Sequence, residues 1–104
     1  MDYLKIVTTV DRHESALKIA EALVAEGAAA CVQIVGPVTS VYRWQGAVEK
    51  AEEWQCWIKT RRDKYPHIEE IIRRLHSYEV PEILAVPVTA GHEPYLAWID
   101  DSLR

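Results

Sequence analysis

The apolar positions of this chain follow two periods in turn, and the changes between them mark the elements. Residues 3–10, YLKIVTTV, are short, β-branched and apolar, which predicts a buried strand. Ala16, Ile19, Ala20 and Leu23 then fall on one face about every 3.6 residues, predicting a helix that Gly27 stops. Asp11 is placed to cap this helix, with Glu14 three residues on to complete a capping box. Residues 28–46 read as one long strand broken at Gly36-Pro37. Proline removes a ladder donor there and predicts a bulge near a sheet edge. Gln45-Gly46 makes a turn, and residues 47–61 return as a second long strand. Its alternation puts Trp54, Cys56 and Ile58 on one side and Gln55, Trp57 and Lys59 on the other.

Residues 63–76 predict a second helix, with Pro66 in its first turn and Ile68, Ile71, Ile72 and Leu75 as its buried stripe. Residues 82–89 predict a fourth strand whose far end, at Pro87, lies at an edge. Pro94 opens a C-terminal helix with Leu96, Ile99 and Leu103 facing inward. The order β-α-β-β-α-β plus a terminal helix predicts an α+β fold, a ferredoxin-like sandwich, in a single domain over residues 1–104. Two helices cover one face of such a sheet. Yet Trp54 and Ile58 on one face, Trp57 on the other, and Val41, Tyr42 and Trp44 opposite make both faces of the long hairpin apolar. That surplus predicts self-association; an odd-numbered ring would suit heterologous strand-edge contacts that close, and the sequence alone leaves the number open.

The formal net charge of −4 argues against a nucleic-acid partner. No apolar run reaches the length of a signal peptide or the ~20 residues of a membrane span, so no membrane partner is expected. Cys31 and Cys56 form no CxxC and no disulfide framework, which points to a reducing cytoplasm. GxSxG, P-loop and HExxH patterns are lacking, so no enzyme is expected.

The stretches AACV (29–32), TSVYRWQG (39–46), IKTR (58–61), HSYEVPEI (76–83) and YLAWIDDSL (95–103) together resemble the CutA family, the divalent-cation tolerance proteins. The resemblance implies a ferredoxin-like homotrimer, cytoplasmic in bacteria, with sheets packed across subunits through the long hairpin. It also implies binding of divalent metals, copper foremost, without an established reaction. The fold is similar to that of the P-II nitrogen-regulatory trimers, which implies a signalling alternative. Asp11-Arg12 stands where the family usually has Pro-Asp, and His76-Ser77-Tyr78 where it has His-Pro-Tyr. In some members metal ligands are assigned to a first-strand cysteine and to paired histidines, positions held here by Thr8 and by Leu75-His76.

Copper and zinc favour imidazole and thiolate, joined by carboxylate. Cys31, His76 and Glu79 are therefore the candidate metal ligands, for Cu2+ or another divalent cation, with no organic cofactor. Their spacing makes no local cage, so the site would be assembled in three dimensions, between subunits. Cys56 reads as a core residue, and His76 at a helix end is also explained by capping. His13, His67 and His92 are expected at the solvated surface. Glu79 and Glu82 flank Pro81, one facing a cleft and the other pairing with Lys59 or Arg61. In the regulatory alternative Lys59 and Arg61 hold a small anionic ligand in an inter-subunit cleft, although a solvated strand end explains them too.

Overall fold

The computed structural model describes residues 2–104. Its elements are β1 (Tyr3–Val10), α1 (His13–Ala25), β2 (Cys31–Trp44), β3 (Ala47–Arg61), a 3-10 turn at Arg62–Lys64, α2 (Tyr65–Leu75), β4 (Ile83–Pro87) and α3 (Glu93–Ser102). The strands lie in the order β2-β3-β1-β4, every neighbouring pair antiparallel, which is the expected ferredoxin-like βαββαβ sheet.

The alternation along β1 and β3 divides the sheet. Leu4, Ile6, Thr8 and Val10 face the helices beside Cys56, Ile58 and Thr60, all buried. Ile19 and Leu23 of α1 and Ile68, Ile71 and Ile72 of α2 close over them. Each such aliphatic side chain, fully buried, contributes about 1.5–3 kcal/mol. On the other face Lys5, Val7, Gln55, Trp57 and Lys59 are half-buried. There α3 covers one end of the sheet, and Leu96 and Ile99 bury Ala30 in a second, smaller core with Tyr3 and Leu103.

The boundaries differ from expectation in four places. Asp11 does not cap α1: Arg12 is the N-cap, with no side-chain cap, while the Asp11 carboxylate accepts the Ser77 hydroxyl at 3.2 Å. The second strand starts at Cys31, because Gly27 (φ 71°) lets the N–H groups of Gly27 and Ala28 close α1 on the carbonyls of Val24 and Leu23. That closure draws Ala28 and Ala29 into the core. The second helix starts at Tyr65, after the 3-10 turn, and the fourth strand spans only Ile83–Pro87.

The bulge at Gly36-Pro37 is present, as a register shift between Val35 and Val38 on the outermost strand, with a cis peptide bond. The β2–β3 hairpin stretches the chain to 45 Å against 25 and 22 Å in the other directions. Val41, Trp44 and Val48 on it are 62%, 58% and 65% exposed.

Candidate functional site

His76 follows α2 and closes it by donating its N–H to the carbonyl of Ile72 at 2.8 Å. Its ring is held at both nitrogens. Nδ1 accepts the backbone N–H of Tyr78 at 3.0 Å, so it carries no proton, and Nε2 then donates to the carbonyl oxygen of Thr9 at 2.8 Å. The tautomer is thus assigned by its partners. A metal could take either nitrogen only by displacing one of these bonds.

The neighbouring loop is tied to the strands by carboxylates. The Tyr78 hydroxyl donates to Glu53 at 2.6 Å, and burial, then Glu53, pushes the phenol above its ordinary range. Glu53 itself is buried. Glu82 accepts from Thr9 Oγ1 at 2.9 Å and does not pair with Lys59 or Arg61. The register accounts for this correction: Thr9 stands opposite Gln55, four residues from the Lys5–Lys59 pair. Glu79 lines a groove of about 420 Å³ with Pro66, Glu69, Arg73, Tyr78 and Pro81.

Cys31 lies elsewhere. It opens β2 opposite Lys59, on the face that α3 partly covers. Four residues at roughly 3.3 Å each separate its row from the Thr9 row that holds His76, a distance of about 13 Å. Thr8, where some family members have a ligand cysteine, points into the helix-covered core, away from Cys31. Cys56 is core packing, as its alternation predicts: its thiol donates to the Ala16 carbonyl at 3.5 Å and is pushed up to about 11 by burial. Among the described residues no three His, Cys, Asp or Glu side chains gather as a metal centre would require. One chain alone therefore does not fit a metal ion at Cys31, His76 and Glu79.

Lys59 and Arg61 separate chemically. Arg61 donates to both carboxylate oxygens of Asp63, at 2.9 and 3.1 Å, and to Asp100 at 3.1 Å, so two carboxylates match its charge. Arg61 is a tie between β3 and α3. Lys59 has no carboxylate partner among the described residues and donates to Gln33 at 2.6 Å. Beside it in register stands Lys5, whose Nζ lies 3.7 Å above the centre of the Trp57 ring. Lys5 and Glu53 were not singled out from the sequence. Alternation already puts Lys5 and Lys59 on one face, but only the strand pairing brings them together.

His13 is exposed and meets the edge of Trp54, with ring centres 6.5 Å apart. His67 pairs with Glu26 at 3.3 Å on the surface. Tyr95 of α3 stacks on Trp98, ring centres 5.6 Å apart, and its phenol is raised by burial and then by the charge of Cys31.

Comparison with known proteins places these observations. The sequence pattern of the family described as CutA1 divalent ion tolerance protein matches residues 4–102. The divalent-cation tolerance protein CutA of Thermus thermophilus is 43% identical over 97 residues, covering 93% of this chain and 94% of that protein. The chloroplastic protein CutA of Arabidopsis thaliana is 39% identical over 99 residues, covering 95% of this chain but only 54% of the plant protein. The solved structure of the periplasmic divalent cation tolerance protein CutA from Archaeoglobus fulgidus matches with a TM-score of 0.95 at 34% identity, over 98% of this chain and 99% of that one. Among the described residues no helix is long and apolar enough to cross a membrane.

Proposed function

Because the chain belongs to the CutA1 divalent ion tolerance family, we propose that it serves divalent-cation tolerance as a homotrimer, binding metal ions, copper foremost, between subunits. The observation that carries the reading is the hairpin. Val41, Tyr42, Trp44 and Val48 leave a long apolar arm exposed, and β2 and β4 are both edge strands, on opposite sides of the sheet. A contact between two different edges is heterologous and ends only when a ring closes. The family resemblance supplies the number three.

The separation of Cys31 from His76 supports a metal site completed by a second copy, since each chain offers the thiol apart from the imidazole. The protein acts in this reading by binding, not by catalysis. The two cysteines support a reducing cytoplasm: both are unpaired, and they sit on opposite faces of the sheet.

Light scattering and calorimetry test the proposal. Tag-free protein should scatter as three chains of 11.9 kDa and bind Cu(II). The doubly charged variant Trp44→Asp/Val48→Asp should dissociate, and its copper affinity should fall by roughly tenfold or more, as should that of Cys31→Ser. A wild-type monomer overturns the assembly. A trimer whose copper affinity ignores Cys31→Ser, His76→Ala and Glu79→Gln overturns the metal site.

A further inference from the structure

The sheet face that α1 and α2 leave open changes character from one end to the other. Alternation and register set its side chains in rows. Lys5 and Lys59 stand opposite each other in one row, with Cys31 beyond Lys59. Leu84, Val7 and Trp57 make the next row, which is apolar. Thr9 and Gln55 follow, with Glu82 bonded to Thr9 Oγ1 at 2.9 Å and Glu53 two residues beyond Gln55 on the same side of β3. The face is therefore basic at one end, apolar in the middle and acidic at the other.

The chain does not match these charges itself. Among the described residues no ion pair includes Lys5, Lys59, Glu53 or Glu82. Lys5 Nζ lies over the Trp57 ring at 3.7 Å, and Lys59 Nζ reaches the neutral Gln33 at 2.6 Å. Like charges directly opposite each other repel. At the other end Glu53 is buried, with the Tyr78 hydroxyl as its donor at 2.6 Å. A buried carboxylate is costly unless a cation meets it. In the proposed ring this face is the one left for other copies, and Leu84, 60% exposed, gives it apolar surface to bury. When two such faces meet, unlike ends attract and like ends repel, which fixes how one copy sits on the next.

We propose that Lys5 and Lys59 of one copy pair with Glu53 and Glu82 of the next, a contact repeated around the ring. It rests on the ring reading and needs no metal. The same apposition carries Cys31, in the Lys59 row, toward the next copy's acidic end, where His76 is bonded to Thr9. Thiol and imidazole, separate within a chain, thus approach each other between chains.

Charge reversal and its repair test the contact, with assembly followed by analytical ultracentrifugation over a dilution series. Lys59→Glu and Glu82→Lys should each raise the concentration at which the assembly dissociates by roughly tenfold or more. Glu53→Gln, which keeps the shape and loses the charge, should raise it by roughly fivefold. The double variant Lys59→Glu/Glu82→Lys exchanges the charges in every interface and should return to within about threefold of the wild type. Lys18→Glu, on the exposed side of α1, should assemble like the wild type. Circular dichroism of each dissociated variant should keep the wild-type strand and helix signal. Single reversals that assemble like the wild type, or a double variant no better than the singles, would overturn the contact and leave the ring standing. A wild-type monomer would overturn both.

Discussion

The hydroxyl of Tyr3 donates at 2.6 Å to a carboxylate oxygen of Asp100, joining the first strand to the last helix across 97 residues. The other Asp100 oxygen takes Arg61. The Tyr3 hydrogen bond, and then Arg61, hold the Asp100 carboxyl below its ordinary range, while Asp100 holds the Tyr3 phenol above its own. A lowered carboxylate contributes stability that is complete above about pH 4 and lost as pH falls through its folded value. A raised phenol contributes stability that is complete below about pH 10 and lost as pH rises through its folded value. Asp100→Asn should therefore be less stable than the wild type at neutral pH, with the two stability curves converging toward both extremes. Trp98 fluorescence and chemical denaturation across pH would record it.

Thr8 is buried with its hydroxyl lacking any partner among the described residues. A desolvated, unpaired hydroxyl is unfavourable, and valine has nearly the same shape with better strand packing. Thr8→Val should raise stability by about 1 kcal/mol, seen as a higher denaturation midpoint at a fixed protein concentration.

A side chain at Gly36 would collide with Trp54. A Cβ there would sit 2.5 and 2.9 Å from two atoms of the indole and 3.1 Å from the Glu53 carbonyl oxygen. Neither the ring nor the backbone yields readily, so Gly36→Ala should destabilise by about 1–3 kcal/mol. The Trp54 environment should shift with it, read by near-ultraviolet circular dichroism.

Tyr78 and Glu53 should behave as one unit. Removing the phenol hydroxyl in Tyr78→Phe leaves the buried Glu53 carboxylate without its donor, at a cost of about 1–3 kcal/mol. Replacing both, as Tyr78→Phe with Glu53→Leu, should cost less than the sum of the single changes. Additive losses in equilibrium unfolding would contradict the pairing.

What was legible in the sequence was the local pattern. The alternation through Trp54–Lys59 and the stripe from Ile68 to Ile72 correctly divided inside from outside, because burial acts on each element separately. The element order and turn residues led to the sheet. The site was less legible, since its relationships are set by strand register. Thr9, 67 residues before His76, occupies one ring nitrogen, and Asp63 and Asp100 neutralise Arg61. Lys5 meets Lys59 only once β1 pairs with β3. Asp11 failed as a cap because Ser77, 66 residues away, offers its carboxylate a donor instead.

The sheet ends on two bare margins, with β2 and β4 outermost and, among the described residues, no strand beyond either. Their outward backbone groups can template any passing strand. In the proposed ring other copies cover these margins, so a newly made chain would be adhesive, and prone to clumping, until the ring closes. Substitutions that slow the closing of that ring would then reduce yield in the cell without touching the finished fold.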